Sequence, residues 1–343
     1  MNIFVIGSGG WGTAASIQLS KNGHDVMLCS AFEDEAEAII KNRENTRFLP
    51  GVRVPEEIEI TTELSKMADA DVIVVATPSF AVKDTAEKMS KFLNAKKTRV
   101  IVCLSKGFDR ENGYCLFSET FERALGKDVP IAVLTGPSHA EEVGRGIPTL
   151  VVAAAKRRDT AELVQSVFMS DNFRVYTTPD IIGAELGGAL KNIVALAAGI
   201  CEGLGLGDNT KAALMTRGIT EMARLGVAIG GKSETFAGLS GLGDMIVTCT
   251  SMHSRNNRAG ILIGKGMSPE KAISEIGSVV EGYFAAEAGY NLAKKAGIEM
   301  PICEAIYNVL YKDLSPKEAI YSLMTRKKRH EIEEVWMEDI TWE

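Results

Sequence analysis

Lys191 stands in Glu185-Leu-Gly-Gly-Ala-Leu-Lys191-Asn192, which opens an apolar stretch running to about Leu204. On a helix it shares a face with Gly187, Gly188, Val194, Ala195 and Ala198, side chains small enough to let another element approach closely. A buried ammonium loses hydration, which draws its pKa towards the range where it trades protons near neutrality. Lys191 is therefore a candidate proton donor and acceptor, and a lysine that merely snorkels out of a buried helix is the competing reading. Downstream, Gly238-Leu-Ser-Gly-Leu-Gly243-Asp244-Met-Ile-Val-Thr248 supplies a carboxylate, Asp244, that either holds such an ammonium in register or caps a helix. Ser254, Arg255 and Asn256 add hydroxyl, guanidinium and amide donors, the groups expected around a phosphate ester. The alternative is that Arg255 and Arg258 lie on a solvated helix face.

A second constellation lies at the start of the chain. Residues 2–6 read as a buried strand running into Gly7-Ser8-Gly9-Gly10-Trp11-Gly12, and a helical stretch follows from Thr13. In this pattern Gly7 permits the tight turn, Gly9 lets the backbone approach a pyrophosphate, and Gly12 lets the helix pack on the strand. Phosphates would face the helix N-terminus, so the stretch points to a dinucleotide. The strand at residues 25–29 should end beside the adenosine ribose, where an acidic residue favours NAD and an arginine favours NADP. Ser30 and Ala31 satisfy neither rule, and Glu33, Asp34 and Glu35 read as the acidic first turn of the next helix, so the choice between NAD and NADP is not readable.

These residues require elements to hold them. Strands are expected at 71–76, 99–104, 131–134 and 150–153, alternating with helices such as 80–93 and 160–169. That alternation predicts an open, mostly parallel sheet with its ligand at the carboxyl ends of the strands. Two turns there carry chemistry: Ser105-Lys106-Gly107, with Lys106 either an anion contact or a surface lysine, and Gly136-Pro137-Ser138-His139-Ala140. His139 has no identified partner and is read as structural. After residue 180 the strand signals fade. The fold class expected is α/β, with an N-terminal Rossmann-type parallel sheet domain over 1–180 and an all-α substrate and catalytic domain over 181–330. A tail of uncertain order follows at 331–343. Asp208 or Asn209 is expected to cap the helix reaching Ala228, and Ser268-Pro269 and Ser315-Pro316 are cap and first-turn signals.

The 343 residues carry a net charge of -7, which argues against a general nucleic-acid or anionic-membrane binder. No secretory signal is visible at the N-terminus, and no apolar run is expected to reach the length of a membrane span. The six cysteines stand singly and read as reduced core thiols in a cytosolic protein, with no metal site expected.

Taken together, Gly-Ser-Gly-Gly-Trp-Gly-Thr-Ala, Ser-Lys106-Gly-Phe, Gly136-Pro-Ser-His-Ala, Gly-Gly-Ala-Leu-Lys191-Asn192, Gly241-Leu-Gly-Asp244 and Ser254-Arg255-Asn256 resemble, in order, the motifs of bacterial NAD(P)-dependent sn-glycerol-3-phosphate dehydrogenases. The resemblance spans residue 1 to about 326. It implies interconversion of glycerol 3-phosphate and dihydroxyacetone phosphate in the cytoplasm, feeding phospholipid synthesis, by a homodimer that takes NAD or NADP. It also implies that Lys191 is the proton acceptor in oxidation, that Lys106 contacts both substrate and cofactor, and that Asp244 belongs to the catalytic set. Gly136, Ser138, Lys191, Asp244, Ser254, Arg255 and Asn256 would line the substrate site. The cofactor would meet Gly7, Gly9, Gly10, Trp11 and Gly12, together with Ala31, Lys106, Ala140, Arg255, Val279 and Glu281. Gly187 and Gly188 would be small so that nicotinamide or substrate can reach the amine.

Two departures stand out. Family members often carry a tryptophan and a basic residue where this chain has Cys29 and Ala31, and His139 replaces a usual phenylalanine. A rival enzyme reading is another two-domain dehydrogenase of a hydroxy acid or sugar acid. A rival of a different class is a non-catalytic dinucleotide sensor, disfavoured because a sensor needs no Lys106, Lys191 and Asp244 together.

Overall fold

The structure, a computed structural model, describes residues 1–328, and the tail expected at 331–343 lies outside them. The chain divides into two compact units, Met1–Ile181 and a second beginning at Ile182.

The first unit is built on eight strands: β1 Asn2–Ile6, β2 Asp25–Cys29, β3 Glu59–Thr61, β4 Val72–Val75, β5 Val100–Cys103, β6 Ile131–Thr135, β7 Thr149–Ala155 and β8 Phe173–Thr178. They form one sheet in the order β3-β2-β1-β4-β5-β6-β7-β8. Every pairing is parallel except β6 with β7. The central strands are near-continuous runs of valine and isoleucine because both faces of the sheet are covered. Val5, Val72, Val74, Val100 and Val102 accordingly lie fully buried in one core. Helices α1 Gly10–Lys21, α2 Glu33–Asn42, α3 Val82–Met89, α4 Phe117–Leu125, α5 Ala140–Gly144 and α6 Arg158–Phe168 connect the strands.

Two strands escape the sequence pattern. β3 has only three residues, and β8 alternates buried and exposed positions as an edge strand does. The helix expected at 80–93 is shorter and begins with a 3-10 turn at Ser79–Ala81. The strand order reverses between β1 and β4, so their carboxyl ends open the crevice where such sheets take ligands.

The second unit is helical: α7 Ile181–Gly203, α8 Asp208–Ala228, α9 Ser233–Ala237, α10 Asp244–Thr250, α11 Arg255–Gly264, α12 Pro269–Ile276, α13 Glu281–Ala296, α14 Pro301–Tyr311 and α15 Pro316–Met324. A single π-turn at Leu239–Gly243 leads into α10. Contrary to the expectation that no apolar run reaches the length of a membrane span, α7 has 23 residues and is apolar enough to cross a bilayer. Isolated charges divide its sequence into short runs, but the helix averages across them. The window that qualifies is 94% buried inside the protein, as a core helix would be.

Small residues let α7 and α11 approach backbone to backbone. A Cβ on Gly199 would lie 2.0 Å from the Asn257 carbonyl oxygen, and one on Gly260 would lie 2.1 Å from that of Leu196. One turn on, Gly203 and Gly264 repeat the arrangement against Ile261 and Ile200, each at 2.3 Å.

The helix caps follow expectation at one site and depart from it at another. Ser315 and Glu318 complete a reciprocal capping box on α15. The cap of α8 is Gly207, without a side-chain bond, rather than Asp208 or Asn209. Asp208 instead supplies negative charge to the first turn of that helix.

Candidate active site

In the first unit the glycine loop joins β1 to α1. Gly7 adopts φ 107°, a left-handed conformation that favours glycine. A Cβ on Gly12 would come 1.9 Å from the Gly7 carbonyl oxygen, so Gly12 lets α1 close on the loop. Gly9, the N-cap of α1, has ordinary angles (φ -65°, ψ 177°), and a Cβ there would meet nothing within 4 Å. A Cβ on Gly10 would lie 2.6 Å from the Phe48 carbonyl oxygen, so the loop is packed at Gly7, Gly10 and Gly12 and open at Gly9, which suits close backbone approach by a pyrophosphate there. Asn45 fixes it from outside, donating to the Ser8 carbonyl at 2.6 Å and to the Thr13 hydroxyl at 2.9 Å.

The same end of the sheet holds other polar groups. Ser105 donates to the Thr77 carbonyl at 2.6 Å, and both Lys106 Nζ and Ser138 Oγ donate to the Gly136 carbonyl, at 3.3 and 3.0 Å. The loops after β4, β5 and β6 are thereby joined, and Lys106, Gly136 and Ser138 are brought together. Trp11 Nε1, Thr77 Oγ1 and Thr135 Oγ1 are buried and lack a hydrogen-bond partner among the described residues. Such orphaned groups are costly unless a ligand or water pairs them. An open glycine turn beside unsatisfied donors fits a dinucleotide. Ala140 begins α5 half-buried, His139 is the N-cap residue of that helix, and Ala31 is exposed beyond β2.

In the second unit Lys191 is buried on α7, with 6% of its side chain exposed, and forms an ion pair with Asp244, whose side chain is 2% exposed. Its Nζ also donates to Thr248 Oγ1 at 2.7 Å, and Thr248 in turn donates to the Asp244 carbonyl at 2.6 Å. Lys191 therefore does not snorkel, and Asp244 both begins α10 and holds the ammonium. A pair buried this deeply loses hydration on both sides and depends on such added hydrogen bonds.

Gly187 has a different purpose from the one expected. A Cβ there would lie 2.6 Å from the Ser240 carbonyl oxygen, so its smallness admits the π-turn that delivers Asp244 to Lys191. Gly241 is equally packed, with a Cβ placed 2.2 Å from the Phe236 carbonyl oxygen.

A chain of amides adjoins the pair. Asn256 Nδ2 donates to Asn192 Oδ1 at 2.8 Å, and the Gly282 backbone N–H donates to Asn256 Oδ1 at 2.8 Å. These bonds tie α7 to α11 and to the start of α13, where Val279 is half-buried and Glu281 is the first helical residue. Ser254 caps α11, its hydroxyl accepting from the Asn257 N–H at 3.2 Å, while Arg255 is exposed at the first position of that helix.

The second unit therefore pairs Lys191 with Asp244 and joins Asn192 to Asn256, with Ser254 and Arg255 next to Asn256 in the chain and Val279 and Glu281 next to Gly282, which bonds to Asn256. The arrangement offers a proton-carrying amine, a compensating carboxylate and an exposed cation. Sequence reasoning misses Thr248, although it lies four residues after Asp244 and so on the same helical face. Thr77 and Thr135 carry no motif; only their positions at or just past strand ends could flag them. Burial pushes the Cys29 thiol up to about 11 and the Cys249 thiol up to about 12, which leaves both as inert core groups.

Comparison with known proteins bears on both units. Residues 2–161 match the family model described as NAD-dependent glycerol-3-phosphate dehydrogenase N-terminus, and residues 180–321 match the one described as NAD-dependent glycerol-3-phosphate dehydrogenase C-terminus. The chain is 52% identical over 333 residues to glycerol-3-phosphate dehydrogenase (NAD(P)+) of Moorella thermoacetica, covering 97% of this chain and 98% of that one. It is 50% identical over 336 residues to the protein of the same name from Pelotomaculum thermopropionicum, covering 97% and 95%. The crystal structure of glycerol-3-phosphate dehydrogenase from Coxiella burnetii matches with a TM-score of 0.90 at 38% identity, over 95% of this chain and 99% of that one.

Proposed function

The chain belongs to the NAD-dependent glycerol-3-phosphate dehydrogenase family, and on that premise we propose that it interconverts dihydroxyacetone phosphate and sn-glycerol 3-phosphate with NAD or NADP. The observation that carries the chemistry is the buried Lys191 ammonium held by Asp244 and Thr248. When bound, the nicotinamide supplies or accepts the hydride at C2 of the substrate. The protein must then manage the proton on the C2 oxygen. In reduction Lys191 polarises the ketone and donates to the developing alkoxide; in oxidation the neutral amine takes the proton back.

Asp244 and Thr248 keep the amine in one place through both directions, so little reorganisation accompanies transfer. Arg255, Asn256 and Ser254 are assigned to the phosphate and the glycerol hydroxyls, and Lys106, Gly136 and Ser138 to substrate binding. The phosphate contacts would hold C2 in position, converting binding energy into orientation. The glycine loop, with Gly7, Gly9, Gly10, Trp11 and Gly12, is assigned to the pyrophosphate. Ala31, Lys106, Ala140, Arg255, Val279 and Glu281 complete the cofactor contacts. In this reading the first unit is the dinucleotide-binding domain and the second the substrate and catalytic domain. We further assign the enzyme to the cytoplasm, as a homodimer supplying phospholipid synthesis.

The test is reduction of dihydroxyacetone phosphate, followed as loss of reduced-nicotinamide absorbance. Lys191→Ala is expected to abolish turnover while leaving dinucleotide affinity within a few-fold. Near wild-type turnover in that variant would overturn the assignment.

A further inference from the structure

Glu35 lies in the first turn of α2, just beyond the carboxyl end of β2, but its carboxylate does not point away with its neighbours. Glu33 and Asp34 are exposed, whereas the Glu35 side chain is 17% exposed and turns back over the glycine loop. There, Ser8 Oγ lies 3.4 Å from Glu35 Oε2 and donates to Ser30 Oγ at 2.8 Å. Ser30 is fully buried and its hydroxyl also accepts from the Phe32 N–H at 3.2 Å, which fixes the chain at the strand end. The other carboxylate oxygen is held by Arg47 at 2.9 Å, and the Arg47 guanidinium lies over the Phe48 ring, 4.8 Å from its centroid. A carboxylate is therefore held by Arg47 beside the dinucleotide loop, at the end of the strand that borders the adenosine ribose in this fold.

We propose that Glu35 makes this enzyme select NAD over NADP, with Arg47 as the residue that positions it. The inference rests on the reading of residues 7–12 as the dinucleotide loop. A carboxylate accepts hydrogen bonds from the vicinal hydroxyls of an unmodified ribose and repels a 2′-phosphate dianion. Arg47 is the side chain that could have welcomed that phosphate, being 67% exposed, but its charge is compensated by Glu35. The acidic first turn of α2 therefore has a second role.

The assignment is tested by nucleotide binding, independent of turnover. NADH and NADPH are titrated into the full-length protein and their fluorescence is followed for wild type, Glu35→Gln and Glu35→Gln/Arg47→Ala. Wild type is expected to bind NADH at least about tenfold tighter than NADPH. Glu35→Gln, which keeps the side-chain shape, should narrow that ratio by roughly tenfold, chiefly by tightening NADPH as Arg47 is released. Adding Arg47→Ala should remove the gain for NADPH. A wild-type protein that prefers NADPH, or a ratio unmoved by Glu35→Gln, overturns the proposal. Failure of wild type to bind either nucleotide overturns the dinucleotide reading of the loop and this assignment with it.

Discussion

Glycine is concentrated in two runs, residues 7–12 and residues 238–243, and it is used differently in each. In the first run Gly9 faces open space, while Gly7, Gly10 and Gly12 pack against the chain and shape a turn whose working surface is the peptide backbone. In the second run the space a side chain would take at Gly241 is already filled by Phe236, and Ser240 packs against Gly187 of α7. The first run leaves room for a ligand, and the second removes room so that one carboxylate reaches one ammonium. A glycine-rich motif therefore says that something approaches closely, but not whether that is a ligand or another part of the chain.

The sharpest way to break this distinction is to add one methyl group to each run. Gly241→Ala is expected to destabilise the protein without any ligand present, by about 2–3 kcal/mol from overpacking. That corresponds to a fall in Tm of roughly 5–10 °C, read by thermal unfolding, with turnover lost as Asp244 moves. A variant with the wild-type Tm and full activity would show that the second run is not filled as described.

Gly9→Ala should do the opposite. Its backbone angles suit any residue, so Tm should stay close to wild type, while NADH affinity falls by roughly tenfold or more. Equal affinity in a titration would mean that no ligand backbone approaches there.

Within the side-chain site, Thr248→Val removes the hydroxyl that accepts from Lys191. A lost hydrogen bond of about 1–1.5 kcal/mol implies a fall in kcat of roughly tenfold with KM for dihydroxyacetone phosphate nearly unchanged. A change in KM alone would place Thr248 outside the proton-handling set.

The smallest effect concerns another buried carboxylate of the second unit. Glu221 accepts from the Ile302 N–H at 2.9 and 3.0 Å and from the Cys303 N–H at 3.3 Å, at the start of α14. Burial nevertheless pushes its carboxyl up to about 7, against the pull of those donors. The folded state then keeps a proton that the unfolded chain releases near the ordinary value of 4.5. Stability should therefore fall as pH rises from about 4.5 to 7 and level off above that window. Thermal unfolding across the window should show a shallower slope for Glu221→Gln, and identical slopes would assign the pH dependence elsewhere.

The same contrast explains which parts of the molecule are legible in the sequence. The loop at residues 7–12 is legible because its parts are adjacent in the chain and each glycine has a backbone task. The parallel sheet is legible because strands covered on both faces become uninterrupted valine and isoleucine runs, and β8 is not, because an edge strand alternates. Lys191 stands out as an ammonium in an apolar setting, and Asp244 as its partner only by conjecture, since 53 residues separate them. Gly187 reads as room for a ligand, although the space belongs to Ser240, because smallness carries no label for its occupant. Glu35 reads as a helix-end charge for a similar reason. Its rotamer, held by Arg47, is tertiary information.

The crossing of α7 on α11 has a consequence for how substitution data on this chain should be interpreted. Gly199, Gly203, Gly260 and Gly264 bring main chain against main chain, so the offset between the lysine-bearing helix and the asparagine-bearing helix is gauged by peptide units and not by side chains. In a saturation scan these four positions would rank beside Lys191 and Asp244 in intolerance, and a ranking by sensitivity would mistake a spacer for a reagent.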